Sequence, residues 1–240
     1  MVESNELLVD RPAENVLRLR LNRPDRRNAV NEAMVNALMA AFDGVVERVV
    51  VLGSSTPEAF CAGADLDLGD EERAAVSDLL YELYEKMVRL PVPIIVALEG
   101  YAVGAGIQLA VAGDLRVAGA GAKLRVAGPG HGLAVAAWAL PSLVGRGRAL
   151  DLCLTMRPVG AEEALSIGLV DRLDQNPEAA AVELASEISR LDPEAVGRVK
   201  RVVGETSGYR DALREERSSN RADWSGSVEA LLSREEDGTR

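Results

Sequence analysis

Residues 93–114, PIIVALEGYAVGAGIQLAVAGD, constrain the fold more than any other stretch of the chain. The apolar run Ile94 to Leu98 offers no polar face to water, so it reads as a buried strand. It enters a turn of small residues that leads straight into an apolar helix. Such a junction exposes backbone N–H groups toward an anion, because the first turn of a helix leaves its donors without intrahelical partners. The first polar side chain inside that helix is Gln108, an amide that neither takes nor gives a proton near neutral pH. The junction therefore suits binding of negative charge and lacks the carboxylate that would move protons beside it.

The same strand–loop–helix rhythm runs through the first three quarters of the chain. NVLRLRLNRP alternates Leu17, Leu19 and Leu21 against Arg18 and Arg20, a half-buried strand. Met34, Leu38, Ala41 and Phe42 recur at helical spacing behind Asn31 in the N-cap position. RVVVLGSS is a second apolar strand, and Val76, Leu80, Leu83 and Met87 mark a helix stopped by Pro91 and Pro93. Short strands are expected near LRVAG and AKLRVAG, then helices at about 133–144, 146–155 and 161–167, with helix almost throughout from Pro177. The reading is an α/β core over residues 1–175 followed by a helical region over 176–240. A length of 240 residues, 48% apolar but only 3% aromatic, suits helices packed on parallel strands better than a sandwich.

A formal charge of −11 argues against nucleic acid as a partner. No signal-peptide pattern or membrane-length apolar run is read from the sequence, so the expectation is a cytoplasmic protein without membrane insertion. Cys61 and Cys153 make neither a metal-ligand spacing nor a disulfide framework, and no metal site is expected.

Two loops follow apolar strands: FCAGADL at 60–66 and GYAVGAGIQLA at 100–110. N–H groups converging from two such loops can bind one carbonyl oxygen, although Gly-Ala-Gly before a helix also serves simply as a tight turn. A third stretch, LNRPDRRNAV, gathers Arg23, Arg26 and Arg27 in an acidic chain. It is either a phosphate contact or a solvated turn.

Taken together, NRPDRRNAV, AFCAGADL, PVPIIVALEGYAVGAGIQLAVAGDLRVAG and LVGRGRALDLCLTMRPVGAEEALSIGLVDRL resemble, in order and spacing, the enoyl-CoA hydratase/isomerase (crotonase) family over about residues 6–232. The resemblance implies a crotonase (ClpP-like) fold of repeated ββα turns with a C-terminal helical region, assembled as a homo-trimer or a hexamer (dimer of trimers). It also implies an acyl-CoA thioester held by an oxyanion hole made of the Ala64 and Ala105 N–H groups. The adenine and pantetheine would lie along Ala62, Asp65 and Leu66, with Arg26, Arg27 and Ala29 near the phosphates. Coenzyme A is then part of the ligand, and no separate cofactor is implied.

The family's hydratases carry two glutamates, and the matching positions here are Gln108 and Gly128, with about three residues fewer after Leu133. The resemblance to an actinobacterial branch with this pattern implies acyl-CoA binding without turnover. The alternative is an active hydratase, isomerase, thioesterase or decarboxylase using another base. His131, the only histidine, lies in the divergent loop; Glu99 and Asp114 are further carboxylates nearby in sequence. A scaffold that presents acyl-CoA to a partner protein is a third reading. Tyr84 and Met87 lie on the helix that lines the acyl tunnel in relatives and could shape it, but their helical spacing favours core packing. Leu213, Trp224, Val228 and Leu231 are expected to pack across a subunit boundary and help close the site.

Overall fold

The computed structural model describes residues 5–222 and Trp224. A six-stranded sheet has the order β1-β2-β3-β5-β7-β10, formed by β1 (Leu7–Ala13), β2 (Val16–Leu21), β3 (Val49–Ser54), β5 (Ile94–Leu98), β7 (Leu115–Ala118) and β10 (Arg172–Leu173). A four-stranded sheet has the order β4-β6-β8-β9, formed by β4 (Ala59–Cys61), β6 (Tyr101–Val103), β8 (Lys123–Arg125) and β9 (Val159–Gly160). The chain repeatedly lays one strand in the large sheet, the next in the small sheet, and then a helix. β3 and β4 lead to α2 (Asp70–Arg89), and β5 and β6 lead to α3 (Ala105–Ala112). β7 and β8 lead to α4 (Leu140–Val144) and α5 (Arg146–Thr155), and α6 (Ala161–Ser166) follows β9. Within the large sheet β2, β3, β5, β7 and β10 are parallel, and only β1 pairs antiparallel.

Side-chain alternation explains why this sheet needs cover on both faces. Val50, Leu52, Ile94, Val96 and Leu98 face the main core, with α1 (Glu32–Asp43), α2 and α3. Val49, Val51, Ile95, Ala97 and Val117 face the opposite way, onto Ala181, Leu184 and Ala185 of α7 (Pro177–Ile188). In β2 the leucines enter the main core, while Arg18 reaches around to Glu178 of α7 at 2.6 Å.

Strand β1 adds an antiparallel edge that the sequence reading did not separate, its exposed Leu8 and Val9 blurring the alternation. The helix expected at 133–144 is reduced to Leu140–Val144. Ala136 adopts φ 58°, incompatible with a right-handed helix, and the backbone N–H groups before α4 are claimed by tertiary partners described below. Leu213, expected at a subunit boundary, is instead buried in the chain's own core, on α9 (Tyr209–Ala222), which follows α8 (Pro193–Thr206). Val228 and Leu231 lie outside the described residues.

The start of α1 gives the first test. Asn31 accepts from the Met34 N–H at 3.0 Å and donates to Glu6 at 2.9 Å. Asn31→Ala should cost about 1 kcal/mol in reversible urea unfolding, the usual value of an N-cap; an unchanged midpoint would remove the cap from the account of this helix.

Candidate active site

The two glycine-containing loops meet because α3 lies hard against β4. A Cβ on Gly106 would sit 2.2 Å from the Cys61 carbonyl oxygen, so the contact admits only glycine. Gly104, at φ 54°, turns β6 into α3 and supplies no capping side chain. The first helical bond runs from the Gln108 N–H to the Gly104 carbonyl at 3.2 Å, which leaves the N–H of Ala105 ahead of the ladder.

On the opposing loop, the Val30 N–H donates to Gly63 O at 2.7 Å and Asp65 N–H donates to Val30 O at 2.9 Å. Ala64 lies between those two residues, so in extended chain its own N–H points away from Val30. Ala64 and Ala105 both border a cavity of about 140 Å³. Ala62, Leu66, Gln108, Gly128 and His131 border the same cavity, so seven of the sequence-selected residues come together.

The other selected residues stand around it. Arg26 and Arg27 are exposed on the turn before Ala29, where Arg26 pairs with Asp67. Arg23 is turned inward, donating to Ala29 O at 2.6 Å and Asp65 Oδ2 at 2.8 Å. Burial pushes the Asp65 carboxyl up, but the Arg23 hydrogen bond and the Asp67 N–H outweigh it and hold it below the ordinary range. Asn28 fixes this turn from inside, donating to Ser54 Oγ at 2.7 Å and accepting from the Arg23 N–H at 2.8 Å. Tyr84 is fully buried behind the cavity, its hydroxyl 3.5 Å from Ala105 O.

Glu99 points to the Gly119–Gly121 turn, where an added Cβ would collide with its carboxylate, and so faces away from the cavity. Asp114 accepts from the Ile94 N–H and from Lys200 Nζ, each at 2.7 Å, a structural clasp. Cys61 is wholly buried beneath Gly106, and burial pushes its thiol up to about 12. Among the described residues no three His, Cys, Asp or Glu side chains gather as metal ligands.

Gln108 is committed to the protein. Its Oε1 accepts from Ala136 N–H at 3.2 Å and from the Trp138 indole at 3.1 Å. Gly128 is closed to any side chain, since a Cβ there would lie 2.6 Å from Leu133 O and from Val135 Cγ2.

Sequence reasoning missed the polar group behind this wall. Glu216 of α9 accepts from the Tyr81 hydroxyl at 2.8 Å and the Trp138 N–H at 2.9 Å. Asn220, one turn on, donates to Ala134 O at 2.6 Å and to the Tyr81 hydroxyl at 2.7 Å, and accepts from the Ala134 N–H at 2.8 Å. The available signal was positional: Leu213, Glu216 and Asn220 share one helical face, so two polar residues sit on the side that buries a leucine. Asn220 and Trp224 also line the cavity, which places the end of the described chain at the site.

Residues 11–226 match the family model described as enoyl-CoA hydratase/isomerase. A probable enoyl-CoA hydratase echA6 of Mycobacterium tuberculosis is 41% identical over 207 residues, covering 83% of each chain. Its counterpart from Mycobacterium leprae is 36% identical over 235 residues, covering 93% of this chain and 94% of the relative. A crystal structure of an enoyl-CoA hydratase/isomerase from Xanthobacter autotrophicus superposes with TM-score 0.85 at 26% identity, covering 97% of this chain and 94% of that one.

Two substitutions test the geometry. Gly106→Ala should cost about 1–3 kcal/mol through overpacking against Cys61. Gly128→Glu should lower the melting temperature, because the added side chain meets Leu133 and Val135 at its first atom. Melting curves unchanged from wild type would refute these contacts. Glycine-tight loop junctions, the ββα succession and the match over most of the sequence agree: the chain belongs to the enoyl-CoA hydratase/isomerase family.

Proposed function

We propose that the protein binds acyl-CoA thioesters, with the thioester oxygen between the N–H groups of Ala64 and Ala105, and that it hydrates enoyl-CoA poorly. The observation that carries this reading is that Ala64 and Ala105 border one cavity whose polar wall includes an amide already engaged by Trp138 and Ala136. Two backbone donors aimed at one oxygen stabilise an enolate or a polarised carbonyl. Hydration further requires an activated water and a proton delivered to the α-carbon, work for positioned acids and bases that contribute on the order of 10²–10⁴ in rate.

Gln108 has no proton to exchange near neutral pH, and Gly128 has no side chain. His131 borders the cavity and is the residue that supports the second reading, an isomerase or thioesterase working from the same oxyanion site with one base. Arg26 and Arg27, exposed on the turn beside Ala29, suit the coenzyme A phosphates.

Assembly as a homo-trimer or hexamer is part of the same reading. Helix α8 has no buried residue, and Val199, Val202 and Val203 are 65%, 56% and 62% exposed, a face that a further copy would cover. Among the described residues no helix is long and apolar enough to cross a membrane.

The deciding measurement is binding and turnover of a thioester panel, acetyl- to palmitoyl-CoA and crotonyl-CoA, on one preparation. Acyl-CoA binding with crotonyl-CoA hydration near background is expected; turnover at ordinary hydratase rates would overturn the non-catalytic reading and bring His131→Ala into first place as the next variant. Gln108→Glu alone should not raise hydration, because a carboxylate there still has no opposing acid. Arg26→Ala with Arg27→Ala should weaken binding by no more than about 1 kcal/mol per contact, an effect that shrinks as salt rises. Light scattering at micromolar concentration should give a trimer or hexamer, and a monodisperse monomer would reject the role given to α8.

A further inference from the structure

Glu216 is a buried carboxylate whose partners are a phenol and backbone N–H groups rather than a cation. Burial of that kind is costly, and a well-packed neutral side chain would serve stability better. Its hydrogen bonds reach two walls of the cavity at once. One is Tyr81 on α2; the other is the segment that carries Val135 and ends at Trp138, whose indole in turn holds Gln108. The segment's N–H groups go to tertiary acceptors instead of a helical ladder: that of Ala134 to Asn220, that of Ala136 to Gln108 and that of Trp138 to Glu216.

We propose that Glu216 is a positioning residue for the acyl site, its ionised carboxylate fastening Tyr81 and the Ala134–Trp138 segment into the wall against which the acyl group packs. This rests on the acyl-CoA reading given above.

Ionisation matters because every group aimed at the carboxylate is a donor. Protonation reverses the bond to Tyr81, which then accepts from Glu216 and turns its own hydrogen toward Ala134 O, 3.4 Å away. Burial raises the Glu216 carboxyl to about 7, against the opposing pull of its Tyr81 and backbone hydrogen bonds. The titratable groups that face it are Tyr81 and Tyr84 of α2 and Cys153 of α5, all held neutral by burial. On its own helix Arg217 is turned to Asp78 and Glu82 of α2, and Arg214 to Glu85. Lys200, on the neighbouring α8, is paired with Asp114.

The sign for stability is opposite to the sign for binding. A carboxyl raised in the folded state binds its proton more tightly there than in the unfolded chain. Its contribution therefore favours folding up to about the ordinary carboxyl range and is lost as pH rises toward 7. A merely structural Glu216 would gain from neutralisation, whereas a positioning Glu216 loses ligand.

The experiment compares octanoyl-CoA with free coenzyme A by calorimetry, so that titration of the phosphates cancels in the ratio of affinities. It uses a His131→Asn background, so that no imidazole, a group whose ordinary range overlaps this pH window, remains in the chain. With a midpoint near 7, the ionised fraction and hence the acyl preference should fall about tenfold from pH 8 to pH 6. Glu216→Gln, which imitates the protonated acid, should bind octanoyl-CoA more than tenfold more weakly at pH 8, bind free coenzyme A unchanged, show no such pH dependence, and melt no lower than its parent. An acyl preference that is level with pH in the parent overturns the proposal without any folded variant. So does Glu216→Gln with full acyl preference. A parent that binds octanoyl-CoA no better than coenzyme A overturns the acyl-CoA reading itself, and this proposal with it.

Discussion

Backbone passes against backbone where α3 crosses the end of β4, and Gly106 is the residue that allows it. With a methyl group there, the helix would stand away from the Cys61 carbonyl and the two loops would no longer face one cavity. The close approach also depends on what lies beneath it. β5 and β3 are adjacent parallel strands of the large sheet, and each feeds the small sheet through its own loop. The packing of apolar strands between α7 and the main core thus sets the distance between Ala64 and Ala105, far from either alanine.

Legibility in the sequence followed the range of the interaction. Alternation in β2, the uninterrupted apolar runs of β3 and β5, and the Asn31 cap are decided within a few residues and could be read directly. The small residues of the two loops stood out in the sequence, but it was the resemblance of four segments to a family that singled out Ala62, Ala64, Leu66 and Ala105 among them. The segment before α4 was not. Its apolar residues have helical spacing, but Ala136 and Trp138 give their N–H groups to Gln108 and Glu216, which lie 28 and 78 positions away. A local pattern holds no record of acceptors that arrive from α3 and α9. Leu213 failed for a related reason: an amphipathic helix shows that it has a buried face, not whether its own chain or another covers it.

The side chain at 108 takes a different meaning from its surroundings than from its identity alone. An amide in the first turn of α3 is, by sequence, a ligand contact or a helix-end bridge. In the fold it is a strut between that helix and the Ala136–Trp138 turn, with its oxygen saturated by two donors. The carboxyl group of this region lies behind the wall, at Glu216, where it accepts from the Tyr81 hydroxyl and the Trp138 N–H instead of meeting solvent. The site therefore combines a rim of small loop residues with a rear wall stiffened by buried hydrogen bonds.

The thiol of Cys61 lies under the contact that joins the two loops, with Gly63 O accepting its weak hydrogen bond at 3.8 Å. Reaction with an alkylating reagent needs both access and a thiolate, and burial denies both while the loops are closed. Modification of this one sulfur can proceed only through molecules in which α3 has lifted from β4. Where that local opening is more frequent than global unfolding, the rate at this sulfur is a clock for it and reads its free energy at a single atom. A ligand that bridges Ala64 and Ala105 would slow that clock without touching the sulfur.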